Sequence, residues 1–194
     1  MAFVVLTGAS GSGKTTIARA IAARHGAAAK VFFFDSIGIP PVEEMVQQYG
    51  SGEAWQRAKT IDWMLRLAGE AKATPRLLFE GQTRFSFLED GAAAVGGIAY
   101  APILVDCDDD TRSKRLETER KQSELANKDM MMWARYLRNE ALIHSYPILD
   151  TSTLSLRDSV EWVMERLEGW GPISRHQTPS QSVEKLRFSA AATT

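Results

Sequence analysis

Residues Gly8-Ala9-Ser10-Gly11-Ser12-Gly13-Lys14-Thr15 fit the pattern G-x-x-x-x-G-K-[S/T]. Each residue type in it answers a need of phosphate chemistry. The glycines let backbone N–H groups converge on phosphate oxygens without Cβ clashes. A helix opening at the end of the loop offers unpaired N–H groups and the positive end of its dipole to an anion. Lys14 has the reach to meet β- and γ-phosphates, and the Thr15 hydroxyl is an oxygen donor suited to magnesium. The expected nucleotide-contacting set is Gly8, Ser10, Gly11, Ser12, Gly13, Lys14, Thr15 and Thr16. The bland alternative is a Gly-rich turn with an exposed lysine. The context argues against it, because the motif follows an apolar run and opens a helical pattern, as phosphate binding requires.

The elements that must position this loop are legible along the chain. Phe3–Thr7 is a short apolar run of the kind that forms a strand buried on both faces. Thr15–His25 carries Ile17, Ala18, Ile21 and Ala22 at helical spacing, closed by Gly26. Val31–Phe34 reads as a second buried strand ending at Asp35. Val42–Tyr49 follows Pro40-Pro41 as a short helix, and Gly50-Ser51-Gly52 breaks it. Glu53–Ala73 is a longer helix with Ala54, Ala58, Ile61, Leu65 and Ala68 as its expected buried face. Leu77–Phe79, Pro102–Val105 and Ile148-Leu149 read as three further strands, ending at Glu80, Asp106 and Asp150. Helical patterns cover Phe85–Val95, Asp110–Glu119, Met130–His144 and Leu156–Leu167. Strands alternating with helices predict an α/β fold with a mostly parallel sheet covered on both faces. From Gly171 the chain is polar and reads as a tail, with a short helix near Val183–Phe188.

Composition narrows the function classes. The 194 residues hold 23 Lys and Arg against 24 Asp and Glu, a net charge of -1, which argues against a strongly basic nucleic-acid binder. Cys107 is the single cysteine, so neither an intrachain disulfide nor a zinc cluster can be built, and it reads as a core thiol. His25, His144 and His176 have no metal-ligand spacing. The N-terminal apolar segment is short and lacks a basic region before it, and no run approaches the ~20 apolar residues of a membrane span. The expectation is a soluble, cytoplasmic protein with no membrane partner.

With these residues in place, the chain resembles the P-loop kinases of small molecules, the group holding adenylate, shikimate, gluconate and polynucleotide kinases. The resemblance covers roughly residues 1–168. It implies a three-layer α/β/α fold with a five-stranded sheet in the order 2-3-1-4-5. It also implies a helical acceptor-binding insertion at 36–75, an arginine-bearing lid at 112–138 and a tail at 169–194. Glu80-Gly81-Gln82-Thr83-Arg84 is similar to the Asp-Gly-Phe-Pro-Arg segment of nucleoside-monophosphate kinases, departing at Glu, Gln and Thr. By that likeness Glu80 joins Thr15 in a magnesium site and Arg84 binds the acceptor; otherwise the two are a strand-end acid and a helix-start surface arginine. Asp35 stands where hydroxyl-phosphorylating relatives carry a carboxylate that orients the acceptor and takes its proton; its other reading is a turn cap at Ser36.

Arg112, Lys114, Arg115, Arg120, Lys121, Lys128, Arg135 and Arg138 crowd the expected lid. By the resemblance Arg115 and Arg120 are catalytic, stabilising charge on the transferred group, and Arg135 and Arg138 contact substrate. A solvated charged face is the alternative. Arg115 and Arg120 are not on one face of a regular helix, so the helix is expected to end between them. Thr151 and Ser152 either border the adenine ring or serve turn chemistry. The insertion offers Arg57 to the substrate, together with Tyr49, Trp55, Trp63 and Arg66; the tryptophans could stack a ring, but at helical spacing they fit a core equally well. The resemblance implies ATP and Mg2+ as cofactors and a small hydroxyl-bearing metabolite, nucleoside or nucleotide as acceptor. Two rival functions use the same residues: a polynucleotide 5′-hydroxyl kinase, and a nucleotide-binding ATPase switch with a protein partner.

Overall fold

A computed structural model describes residues 2–169. The tail expected from residue 171, with its short helix, lies outside the described residues.

Five strands form one sheet: β1 (Ala2–Thr7), β2 (Lys30–Phe33), β3 (Arg76–Glu80), β4 (Ala101–Asp106) and β5 (Ile148–Asp150). Their order is β2-β3-β1-β4-β5 and every pairing is parallel. Among the described residues seven α-helices accompany them: α1 (Lys14–His25), α2 (Val42–Tyr49), α3 (Gly52–Glu70), α4 (Phe85–Ala94), α5 (Asp109–Lys114), α6 (Lys128–Ile143) and α7 (Leu156–Glu168). β1 shows why the sheet needs cover on both sides. Phe3 and Val5 join the core under α3, α4 and α6, while Val4 and Leu6 join the core under α1 and α7. All four are fully buried, at about 25 cal/mol per Å² of apolar surface removed from water. A parallel sheet places all its strand C-termini on one edge, where ligands of such folds bind.

Three local departures from the sequence expectation have physical causes. The buried face of α3 is Trp55, Trp63, Met64 and Leu67, whereas Leu65, expected inside, is half-exposed. Two indoles, a Met and a Leu bury far more apolar area than the alanine stripe would. β2 stops at Phe33, and Phe34–Ile37 winds into a 3₁₀ turn closed by Ser36 Oγ donating to the Phe33 carbonyl at 2.7 Å. Asp35 therefore sits in the turn, exposed, one step beyond the strand. The helix expected through Glu119 is α-helical only to Lys114 and continues as a π turn over Arg115–Glu119.

Candidate active site

The phosphate loop spans the gap from β1 to α1 at the C-terminal edge of the sheet. Gly8 is required by close approach: a Cβ there would stand 2.2 Å from the Val105 carbonyl oxygen. Gly11 adopts φ +79°, which side-chain-bearing residues rarely take.

Side chains from outside the loop fix its shape. The Ser10 carbonyl accepts from Arg112 at 2.9 Å, the Gly11 carbonyl from Arg115 at 3.3 Å, and the Ser12 carbonyl from the Thr151 hydroxyl at 2.8 Å. Three successive carbonyls are thus engaged by donors outside the loop, which restrains the loop's peptide planes. Arg112 is fully buried and also binds the Asp106 carboxylate and the Cys107 carbonyl. The nearly buried Asp106 takes a second guanidinium, Arg138 Nε at 2.7 Å. Ser10 Oγ donates to Gln82 Oε1 at 3.1 Å, tying the loop to the segment after β3.

Lys14 and Glu80 meet at the base of the loop. Both are buried, with Lys14 Nζ 3.9 Å from Glu80 Oε1, and Thr15 Oγ1 donates to the same oxygen at 2.9 Å. Burial pushes the lysine below its ordinary pKa, while Glu80 pulls it back up. Burial pushes Glu80 above the usual carboxylate range, opposed by Lys14 and by the Thr15 hydrogen bond. Among the described residues no group of three or more His, Cys, Asp or Glu could hold a metal. One hydroxyl and one carboxylate instead make a hard-oxygen pair, which fits a magnesium ion that keeps several waters and shares phosphate oxygens.

A cleft of about 460 Å³ opens over this base. Gly11, Gly13, Lys14, Thr15 and Thr16 of the loop and α1 line it, together with Asp35, Arg115, Arg120 and Thr151. The π turn explains how both arginines reach one wall. Arg120 N–H bonds the Arg115 carbonyl at 3.0 Å, so residues five apart stand over each other, where a regular helix would separate them. Asp35 also borders an adjoining groove with Thr15, Arg19 and Glu80.

Other expected site residues stand apart from this cleft. Arg57 pairs with Asp90 at 2.7 Å between α3 and α4. Arg84 pairs with Glu53 at 3.0 Å and lies over Trp133 and Tyr136, 5.0 and 4.9 Å from their ring centroids. Arg135 pairs with Asp109 at 2.7 Å, and Arg138 bridges Asp106 and Asp150. Ser152 accepts from the Asp108 N–H at 2.9 Å and donates to Asp150 at 2.6 Å, binding the two loops after β4 and β5 together. Arg112, Asp106 and Gln82 take roles the sequence did not suggest for them, and Gln56, which donates to the Gln82 carbonyl at 2.7 Å, joins them without any signal in the sequence. An arginine at a sequence position gives no sign that it will be fully buried, since arginines are mostly exposed.

The profile of the AAA domain family matches residues 4–134. The chain belongs to the AAA domain family. Among solved structures, a sugar kinase from Janibacter sp. HTCC2649 matches at TM-score 0.60 and 18% identity, covering 87% of this chain and 95% of that one. Shikimate kinase from Acinetobacter baumannii in complex with shikimate matches at TM-score 0.59 and 13% identity, covering 87% and 94%. A gluconokinase from Sinorhizobium meliloti 1021 matches at TM-score 0.56 and 18% identity, covering 87% and 90%. This AAA domain chain thus shares the fold of P-loop small-molecule kinases, with the strand order that resemblance implied. A search of curated proteins found no match. No helix among the described residues is long and apolar enough to cross a membrane.

Proposed function

We propose that the chain is an ATP- and magnesium-dependent phosphotransferase acting on the hydroxyl of a small acceptor. The observation that carries this reading is Lys14, Thr15 and Glu80 joined at the base of the phosphate loop, with Asp35 lining the same cleft. Lys14 and the loop N–H groups hold the β- and γ-phosphates. Thr15 and Glu80 hold magnesium, which when bound neutralises charge on the phosphate oxygens. Asp35 orients the acceptor hydroxyl and takes its proton as the bond to phosphorus forms. Arg115 and Arg120 supply positive charge to the same cleft, while Arg115 also braces the loop.

The acceptor class follows from charge. Asp35 and Glu80 border one groove with Arg19, so its two carboxylates outnumber its one cation and disfavour an incoming phosphate anion. Arg57 of the insertion and Arg84 after β3, the two arginines expected to meet the acceptor, are already paired to Asp90 and Glu53. Gln56 and Gln82 add neutral amides beside the loop. These features favour a neutral, hydroxyl-bearing acceptor, with residues 36–75 contributing the acceptor side. The test is a screen of nucleosides, nucleotides, sugars and 5′-hydroxyl oligonucleotides with γ-labelled ATP. The reading expects label on a hydroxyl compound. Label released only as inorganic phosphate, at a rate no acceptor raises, would favour the ATPase switch instead.

A further inference from the structure

A second cavity of about 540 Å³ lies between the segment after β2, α2 and α3. None of the residues lining it lines the phosphate cleft. α3 turns two different faces to its surroundings, and the phosphate cleft is lined by neither. Gln56 and Thr60 bond to the segment after β3, whereas Trp55, Lys59, Asp62, Trp63 and Arg66 face the second cavity.

The lining suits a ligand of definite chemistry. Trp55, Trp63 and Tyr49 give it aromatic walls. Ile37 and Ile39 also line it, yet remain 44% and 52% exposed, so apolar surface stands open to water. The buried Trp63 Nε1–H has no acceptor among the described residues. Most lining charges are engaged: Lys59 pairs with Asp62 at 3.1 Å, and Glu44 accepts from the Gln48 amide at 3.0 Å. Arg66 differs. Its guanidinium lies over Trp63, 4.8 Å from the ring centroid, and has neither an ion pair nor a hydrogen bond among the described residues. The same guanidinium lies 5.7 Å from the Phe32 ring centroid, and a cation seated over aromatic rings, with no ion pair, leaves its N–H donors for a planar or oxygen-rich anion. The volume lies in the range of small-molecule sites, which are apolar with a few placed polar groups.

We propose that this cavity binds an aromatic molecule bearing an anionic group, its ring among Trp55, Tyr49 and Ile39 and its anion on Arg66. The site shares no lining residue with the phosphate cleft, and the proposal holds whether or not the chain is a phosphotransferase.

The test uses 8-anilinonaphthalene-1-sulfonate as probe, with N-phenyl-1-naphthylamine as the same ring system lacking the sulfonate. The full chain should bind the sulfonate saturably, one per chain, with quenching of tryptophan emission, and saturating ATP should not displace it. Arg66→Gln should weaken the sulfonate about tenfold, the scale of one charge-assisted contact, and leave the neutral probe nearly unchanged. Ile39→Asp should weaken both probes. Both positions are exposed, and circular dichroism melts check that the variants fold. Non-saturable binding, displacement by ATP, or an unchanged sulfonate affinity in Arg66→Gln overturns the proposal.

Discussion

Replacing Arg112 by Met separates the loop brace from the chemistry. The side chain is fully buried and its guanidinium serves the Ser10 carbonyl, the Cys107 carbonyl and the Asp106 carboxylate. Methionine keeps an unbranched side chain but supplies no donor. Asp106 retains Arg138, so its charge is not wholly orphaned. Two carbonyls lose a donor and a buried ion pair loses one member, a defect of about 3–5 kcal/mol. At roughly 2–4 °C per kcal/mol for a chain of this size, the melting temperature should fall by about 6–20 °C. ATP affinity should drop on the order of 10–100-fold, because the peptide after Ser10 is no longer held with its N–H toward phosphate. Circular dichroism melts and calorimetric ATP titration, run below both transitions, read the two effects. Arg112→Lys should recover part of the stability but little of the affinity, since one ammonium cannot span Asp106 and Ser10 together. A melting temperature within about 2 °C of the parent, with unchanged ATP affinity in Arg112→Met, would refute the brace.

Further outcomes follow from the same geometry. Lys14→Ala should retain the fold and lose transfer by on the order of 10²–10⁴, as for a single electrostatic contact in a preorganised site; steady-state turnover checks it. Glu80→Gln should raise the magnesium concentration needed for half-maximal activity while leaving metal-free nucleotide affinity nearly unchanged, read by paired magnesium and nucleotide titrations. Cys107 is buried, and burial raises its thiol pKa above the ordinary value. Its folded form therefore holds a proton that the unfolded chain gives up sooner, so this group's contribution to stability declines as pH rises past the unfolded value. A disulfide reagent at pH 8 should label Cys107 only at the rate of opening, and denaturant should abolish that protection; labelling as fast as a free thiol would contradict the burial.

The phosphate loop and the sheet were legible because their signals are local. Eight residues carry the loop, and apolar runs such as Phe3–Leu6 and Leu77–Phe79 can satisfy themselves only as strands covered on both faces. Strand order was not contained in those runs; it came with the resemblance. The illegible parts are those set by tertiary contacts. Nothing in Asp-Asp-Thr-Arg marks Arg112 as a fully buried strut, because its partners lie in β4 and the loop. The π turn that aligns Arg115 with Arg120 changes the rule by which faces are read, so a 3.6-residue period separates residues that the fold brings together. The buried face of α3 departs from its alanine stripe for a related reason: the helical period is visible, but the larger side chains on another stripe decide which face is buried.

The central claim is that Asp35 serves an acceptor hydroxyl in the cleft it lines together with the phosphate loop. The direct measurement is the rate of label transfer from γ-labelled ATP to the best hydroxyl acceptor, in the parent and in Asp35→Asn, with magnesium and ATP saturating. Asparagine keeps the size and one oxygen but cannot take the proton. A fall of roughly 10²–10⁴ with ATP binding intact is the predicted result. Unchanged acceptor turnover in Asp35→Asn would contradict it and return a phosphate-bearing acceptor to first place.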